Sequence, residues 1–294
     1  MLSIIVPVYN EENAVKQTVD RLTLTLSKEI NDWEIILIND GSTDGTKNIL
    51  DNIASKNILV LHNIQNIGYS SSIKRGIKKA SGQLLAITDA DGTYPVEELP
   101  AMLKQMNESK VDMIVGARTK KKVHIPFVRK PAKVIIAILA NFLVGEKIPD
   151  INSGLRIFTR ELAEKFWHLY PQRFSFTITI TLAALTNSYQ VEFYPIEYSK
   201  RIGKSTLSSG TNGLKNFFSF IGLIIRITTY FRPLKFFTIP SLILSIGGVA
   251  LMICTITTQQ NISDSGMLLF VTGLQIGIFG LLADNIARNG QRKF

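Results

Sequence analysis

Apolar positions follow two different regimes along this chain. In the first part, short apolar runs alternate with longer stretches in which apolar residues recur every three or four positions. Residues 3–8 (SIIVPV), 34–38 (EIILI), 58–61 (ILVL), 84–88 (LLAIT) and 113–115 (MIV) have the length and β-branched content of strands. Residues 12–26, 46–54, 70–80 and 95–107, which lie between them, have helical spacing. Strands alternating with helices of about ten residues predict βαβ units and a parallel sheet. Such sheets bind ligands beyond the carboxyl ends of their strands, so the chemistry is to be sought there.

The second regime is C-terminal. Residues 236–263 carry no charge, and neither do residues 265–283. A membrane-spanning helix needs ~20 mostly apolar residues, so two spans are predicted. Arg226, Arg232 and Lys235 precede the first run, and Arg288, Arg292 and Lys293 follow the second. The connection holds Asp264 and no basic residue. Basic residues favour the cytoplasmic side, which predicts both ends, and everything before residue 236, in the cytoplasm. The chain opens without a basic segment leading into an apolar one, so no signal peptide is expected. Asn261-Ile262-Ser263 fits a glycosylation sequon, but beside the membrane it reads as a polar hairpin turn. Residues 216–230 are apolar and aromatic around Arg226 and read as an interfacial helix. The expected organisation is a domain over 1–212, an interfacial helix over 213–234, a two-helix hairpin over 235–287 and a basic tail over 288–294.

Composition narrows this picture. Among 294 residues, 46% are apolar and 19% charged, which excludes a disordered chain and a collagen-like repeat. The single cysteine, Cys254, can form neither an intramolecular disulfide nor a cysteine zinc site, and three scattered histidines make a His cluster unexpected. The formal charge is +10. With clustered apolar runs and no aromatic-basic binding module, that excess points to a membrane surface and not to nucleic acid. Arg118, Lys120, Lys121, Lys122, Arg129, Lys130 and Lys133 lead into an apolar stretch at 134–144. Beside anionic head groups each basic residue is worth ~1 kcal/mol.

Three predicted strand ends carry polar or acidic residues. They are Pro7-Val8-Tyr9-Asn10-Glu11, Asn39-Asp40-Gly41-Ser42-Thr43-Asp44-Gly45 and Thr88-Asp89-Ala90-Asp91-Gly92. Each alone is a common turn; their coincidence on one rim is the signal. Asp89 and Asp91 flank one residue, so both carboxylates can reach one hard cation such as Mg²⁺ or Mn²⁺. That cation would neutralise a leaving diphosphate. Asp40 stands where a carboxylate could accept hydrogen bonds from a nucleobase or ribose.

These motifs resemble those of the family 2 glycosyltransferases, which have the GT-A fold, a Rossmann-like α/β domain with a mostly parallel sheet. The resemblance implies that Pro7, Tyr9, Asn10, Glu11 and Asp40 hold the nucleotide. It places Asn66 and Gly68, of Asn66-Ile67-Gly68, on the nucleotide-side loop. It implies that Asp89, Ala90 and Asp91 bind a nucleotide-diphosphate sugar, with Asp89 and Asp91 as ligands of Mg²⁺ or Mn²⁺. Asp150-Ile151-Asn152-Ser153-Gly154-Leu155-Arg156 resembles the acceptor-side motif of the polyprenyl-phosphate glycosyltransferases, the dolichyl-phosphate mannose synthase group. That implies Arg156 as a phosphate-binding catalytic residue, Asp150 as a candidate base, and Ser153 and Arg118 on the acceptor side. Arg201-Ile202-Gly203-Lys204-Ser205 resembles a later motif of the group, whose basic residues, here Arg201 and Lys204, approach the phosphates.

There are departures. Many members continue the acidic motif to a Gln, where this chain has Thr93. The Gln-x-x-Arg-Trp motif of processive synthases is missing; the tryptophans are Trp33 and Trp167. The resemblance therefore implies a metal-dependent, inverting, non-processive hexosyl- or N-acetylhexosaminyltransferase. Its donor would be a UDP-sugar ahead of a GDP-sugar, and its acceptor a polyprenyl or dolichyl phosphate in the bilayer. Two-span members of the group often act as homo-oligomers. Transfer to another membrane lipid, and a non-catalytic scaffold in a glycan complex, are the alternatives.

Overall fold

The computed structural model describes residues 1–120, 144–172, 176–199, 201 and 232–291, with single positions between 138 and 142 and between 222 and 230. Lys204, the basic residues from Lys121 to Lys133 and most of 213–234 lie outside the described residues. The chain forms two compact units, residues 1–220 and 221–294.

The first unit is built on a seven-stranded sheet. Its strands are β1 (Leu2–Val8), β2 (Trp33–Asn39), β3 (Ile58–His62), β4 (Leu84–Ile87), β5 (Met113–Ala117), β6 (Arg156–Thr159) and β7 (Val191–Pro195). They lie in the order β3-β2-β1-β4-β6-β5-β7. Pairing is parallel from β3 through β4 and between β5 and β7. β6 runs antiparallel to both neighbours. The sheet is thus mostly parallel, as expected, with one reversed strand that the periodicity alone does not indicate. The reversal has a consequence for the site. Arg156 opens β6 opposite Ile87, the last residue of β4, and Val115, in the middle of β5. The preceding loop, 150–155, therefore arrives at the same rim as the ends of the parallel strands.

Helices cover both faces. They are α1 (Val15–Glu29), α2 (Thr46–Ile53), α3 (Tyr69–Lys79), α4 (Leu99–Ser109), α5 (Arg160–Lys165) and α6 (Phe176–Thr186). α1 buries Val15, Val19, Leu22 and Leu26, one stripe at helical spacing. These join Ile4, Val6 and Val8 of β1 and Met102 and Met106 of α4 in one core. Complete burial of one such side chain is worth about 1.5–3 kcal/mol. On the opposite face, α3 lies close to the sheet because of Gly76. A Cβ there would stand 2.5 Å from Ile5 Cγ2. α6 is buried nearly all round, from Phe176 to Ala184.

The second unit is a pair of long helices, α7 (Pro233–Gln259) and α8 (Asp264–Gln291). Their apolar windows have mean hydropathy 2.2 and 2.0, and both are long and apolar enough to cross a membrane. The helices touch through small residues. Ser241 Oγ donates to Gly273 O at 2.8 Å, and a Cβ on Gly248 would stand 2.5 Å from Phe270 N. Leu242, Ile243, Ile246, Leu268, Leu274 and Phe279 point outward, exposed. Close contact through small residues with large apolar side chains outside is the arrangement a bilayer favours.

Candidate active site

The motifs expected on the nucleotide side are joined by hydrogen bonds at the ends of β1, β2 and β3. Asn10, at φ 54°, accepts from Thr43 N at 2.8 Å through Oδ1, and its own N–H donates to Ser42 Oγ at 3.0 Å. Glu11 N donates to Thr46 Oγ1 at 2.9 Å. Pro7 and Tyr9 are half-buried at the end of β1. Asp40 is 4% exposed. Its Oδ1 accepts from Asn63 Nδ2 at 2.8 Å and Ile67 N at 2.9 Å, and its Oδ2 from Gly68 N at 2.9 Å. Asp40 thus organises the loop containing Asn66 and Gly68. Gly41 and Gly68 have φ of 70° and 96°. At Gly41 a Cβ would also stand 2.5 Å from Gln65 C, so only glycine lets the two loops meet.

An acidic cluster stands beside these loops. Glu11 and Asp91 are buried, at 8% and 6% exposure, and Asp89 is half-buried. Arg201 pairs with Glu11, and its Nε lies 3.6 Å from Asp91 Oδ2. Burial, only partly offset by Arg201 and reinforced by Asp91 and Asp89, pushes the Glu11 carboxyl up to about 7. Burial and the Asp91 charge raise the Asp89 carboxyl as well. Tyr69 OH donates to Asp89 Oδ1 at 3.1 Å. Thr93 donates twice to Asp91 Oδ1, from N at 3.1 Å and Oγ1 at 2.6 Å. Ala90 is buried between the two aspartates, and its carbonyl accepts from Thr18 Oγ1 at 3.0 Å.

This donor set fits a hard divalent cation. Glu11 and Asp91 share the Arg201 guanidinium, and the neighbouring aspartate charges push the Glu11 and Asp89 carboxyls up, the mark of an excess of negative charge. Tyr69 and Thr93 engage only Oδ1 of their partners, and Asp91 Oδ2 lies 3.6 Å from Arg201 Nε. Among the described residues no three His, Cys, Asp or Glu side chains form a metal cage. An open site of two carboxylates, completed by phosphate oxygens and water, is how Mg²⁺ is commonly held. Among the described residues Arg201 Nε is buried without a hydrogen-bond partner, with Asp91 Oδ2 beyond hydrogen-bond reach at 3.6 Å.

The acceptor-side residues divide into two groups. Arg118 and Asp150 form a two-pronged pair, Nε to Oδ2 at 2.7 Å and Nη2 to Oδ1 at 2.9 Å. Burial alone would raise the Asp150 carboxyl, but the hydrogen bonds and charge of Arg118 outweigh it and hold it below its ordinary value. Arg118 also lies over the Tyr198 ring at 5.1 Å, and Tyr198 meets Tyr94 edge-on at 5.2 Å. Tyr94 OH accepts from Gly154 N at 2.6 Å. Gly154 packs on the acidic cluster: a Cβ there would stand 2.9 Å from Asp89 Oδ2.

Arg156 and Ser153 are placed differently from the expectation that they face the acceptor. Both have 0% exposure. Ser153 Oγ donates to Gly116 O. Arg156 donates from Nη1 to Thr177 O and Thr181 Oγ1, each at 2.9 Å, and from Nε and Nη2 to Ser153 O. Burial lowers its guanidinium to about 10, still charged at neutral pH. Four of its hydrogen bonds tie the 152–154 turn to α6, where Thr177 Oγ1 also donates to Asn152 Oδ1 at 2.8 Å. The expectation of a free base at Asp150 changes too, because an ionised, paired carboxylate holds its proton weakly. Lys204 lies outside the described residues. Tyr69, Tyr94, Thr177 and Tyr198 escaped the sequence reading; the tyrosines are signalled by their positions near the Asn66–Gly68, Asp89–Asp91 and Arg201 motifs, and Thr177 by nothing in the sequence.

The Glycosyl transferase family 2 model matches residues 3–167, and the GtrB C-terminal hairpin model matches residues 232–288. A dolichyl-phosphate beta-glucosyltransferase, ALG5D of Trichomonas vaginalis, is 31% identical over 225 residues, covering 71% of this chain and 69% of the relative. A dodecaprenyl-phosphate galacturonate synthase of Rhizobium johnstonii is 26% identical over 314 residues, covering 99% and 89%. Glucosyl-3-phosphoglycerate synthase of Mycobacterium tuberculosis, solved with Mn²⁺, uridine-diphosphate and phosphoglyceric acid, superposes with a TM-score of 0.60 at 15% identity, covering 77% of this chain and 78% of that one. That likeness establishes the GT-A architecture, and the matched motifs, the mixed sheet and the acidic strand ends together place the chain in glycosyl transferase family 2.

Proposed function

We propose that the chain is an inverting glycosyltransferase that moves a sugar from a nucleotide diphosphate, UDP ahead of GDP, to a polyprenyl or dolichyl phosphate. The observation that carries this is the meeting of Asp40, the Asp89–Asp91 pair and Arg118–Asp150 on one rim, in a chain that also carries an apolar hairpin. The curated relatives, named for lipid-phosphate acceptors, support it.

The acceptor phosphate is already anionic at neutral pH, so the reaction asks for no strong base. A phosphate oxygen attacks the anomeric carbon as the bond to the nucleotide diphosphate breaks, and the configuration inverts. Asp89 and Asp91 would hold the divalent cation, which supplies charge neutralisation at the leaving diphosphate. Tyr9, Asn10 and Asp40 line the nucleotide side. Arg201, held at the rim by Glu11, faces the diphosphate. Asp150 occupies the Nε face of Arg118 and fixes its orientation, leaving the remaining N–H groups for the acceptor phosphate. Catalysis is then mostly positioning and electrostatics. Residues 235–287 anchor the chain, with 1–212 and the 288–294 tail on the cytoplasmic side, because the flanks of the hairpin are basic and its turn is not.

The test is a panel of UDP- and GDP-sugars with undecaprenyl phosphate in detergent, with and without Mn²⁺ or Mg²⁺. A metal-dependent lipid product that mild acid releases supports the reading. An acid-stable lipid product points to another lipid acceptor, and bound nucleotide without transfer to a scaffold.

A further inference from the structure

Two carboxylates of the site belong to strands that do not touch: Asp40 follows β2 and Asp89 follows β4, with β1 between them. They are nevertheless linked by consecutive residues of one segment. Gly68 N donates to Asp40 Oδ2 at 2.9 Å, and Tyr69 OH donates to Asp89 Oδ1 at 3.1 Å. Gly68 has φ 96°, a conformation that aims its N–H at Asp40 while Tyr69 starts α3. The segment cannot shift freely. Ser70 Oγ accepts from Phe176 N at 3.1 Å, and Ser71 N donates to Gln172 O at 2.9 Å. Both Asp40 oxygens are taken by the loop, so a nucleotide that bonds Asp40 must share it with Ile67 and Gly68. Any displacement of the Gly68 amide moves the next residue, whose hydroxyl orients Asp89.

We propose that Tyr69 is a positioning residue that couples nucleotide binding at Asp40 to cation and diphosphate binding at Asp89. This rests on the transferase reading above. Such coupling is reciprocal: the nucleotide must tighten the cation by the factor by which the cation tightens the nucleotide.

The test is calorimetry on the full chain in detergent, titrating UDP with and without Mn²⁺ and Mn²⁺ with and without UDP, for the wild type and Tyr69→Phe. The variant keeps the half-buried ring and loses only the hydroxyl. In the wild type each ligand tightens the other. In Tyr69→Phe that enhancement falls by about tenfold, the scale of one hydrogen bond to a charged group, while UDP alone binds within about twofold of wild type. A merely structural role would weaken UDP alone as well, and that result overturns the proposal. Full mutual enhancement in Tyr69→Phe overturns the coupling and leaves the transferase reading intact. A wild type in which Mn²⁺ has no effect on UDP overturns both.

Discussion

Arg118 and Asp150 meet through two hydrogen bonds at 2.7 and 2.9 Å, both side chains under a fifth exposed. The pairing converts a candidate base into a fixed anion. Asp150→Asn should cost about 2 kcal/mol at pH 7, because the half-buried guanidinium loses its counter-ion. The sign of the pH dependence follows. The folded carboxyl lies below its ordinary 3.8, so the stabilisation is complete above that value and is lost as pH falls through the folded value. Thermal unfolding should separate wild type and variant at pH 7 and bring them together in acid below about pH 3.8. A gap independent of pH would mean the pair is not ionic.

Arg156 and Arg118 should fail in different ways. Arg156→Ala strips Ser153 O of both its guanidinium donors and breaks the tie to Thr177 O and Thr181 Oγ1 inside the protein, a loss of roughly 3 kcal/mol or more. Its Tm should fall along with activity. Arg118→Ala should raise KM for the lipid phosphate about tenfold or more, with nucleotide binding kept. Steady-state kinetics and melting curves on both variants distinguish these outcomes.

Glu11 should give the metal-free protein a second pH dependence, of opposite sign. Its carboxyl is raised to about 7 from 4.5, so the folded state holds a proton that the unfolded state has lost. Stability in chelator should decline as pH rises from about 4.5 to about 7. Glu11→Gln should flatten that decline. An unchanged slope would assign it to other groups.

Gly154→Ala tests the contact between the acceptor-side turn and the acidic cluster. The new methyl would stand 2.9 Å from Asp89 Oδ2 and 3.0 Å from Tyr94 Cε2, so something must move. Transfer should fall about tenfold or more, the scale of a misplaced catalytic group, with the hairpin unaffected. Activity equal to wild type would show that Asp89 tolerates displacement.

Much of this arrangement is legible in the chain. β1 to β5 and α1 to α4 are visible because each has one regular period, and the acidic strand ends fall where a parallel sheet exposes them. The remainder is hidden for physical reasons. β6 is only four residues, and nothing in Arg156-Ile157-Phe158-Thr159 announces its reversed direction. α6 alternates threonine with apolar residues like a strand. It forms a helix because it is enclosed on nearly every side, and Thr181 and Thr186 turn their hydroxyls to the carbonyls of Thr177 and Leu182. Arg156 lies in a motif that suggests a phosphate contact, and only the packing of α6 over it shows where its donors go.

The most direct test of the central claim is an experimental structure of the full chain in a lipid nanodisc with UDP and Mn²⁺. The account predicts the ion between Asp89 and Asp91, coordinated by diphosphate oxygens, with the uridine at Asp40 and Arg201 turned toward the diphosphate. Nucleotide bound away from Asp40, or a metal that touches neither aspartate, would contradict it.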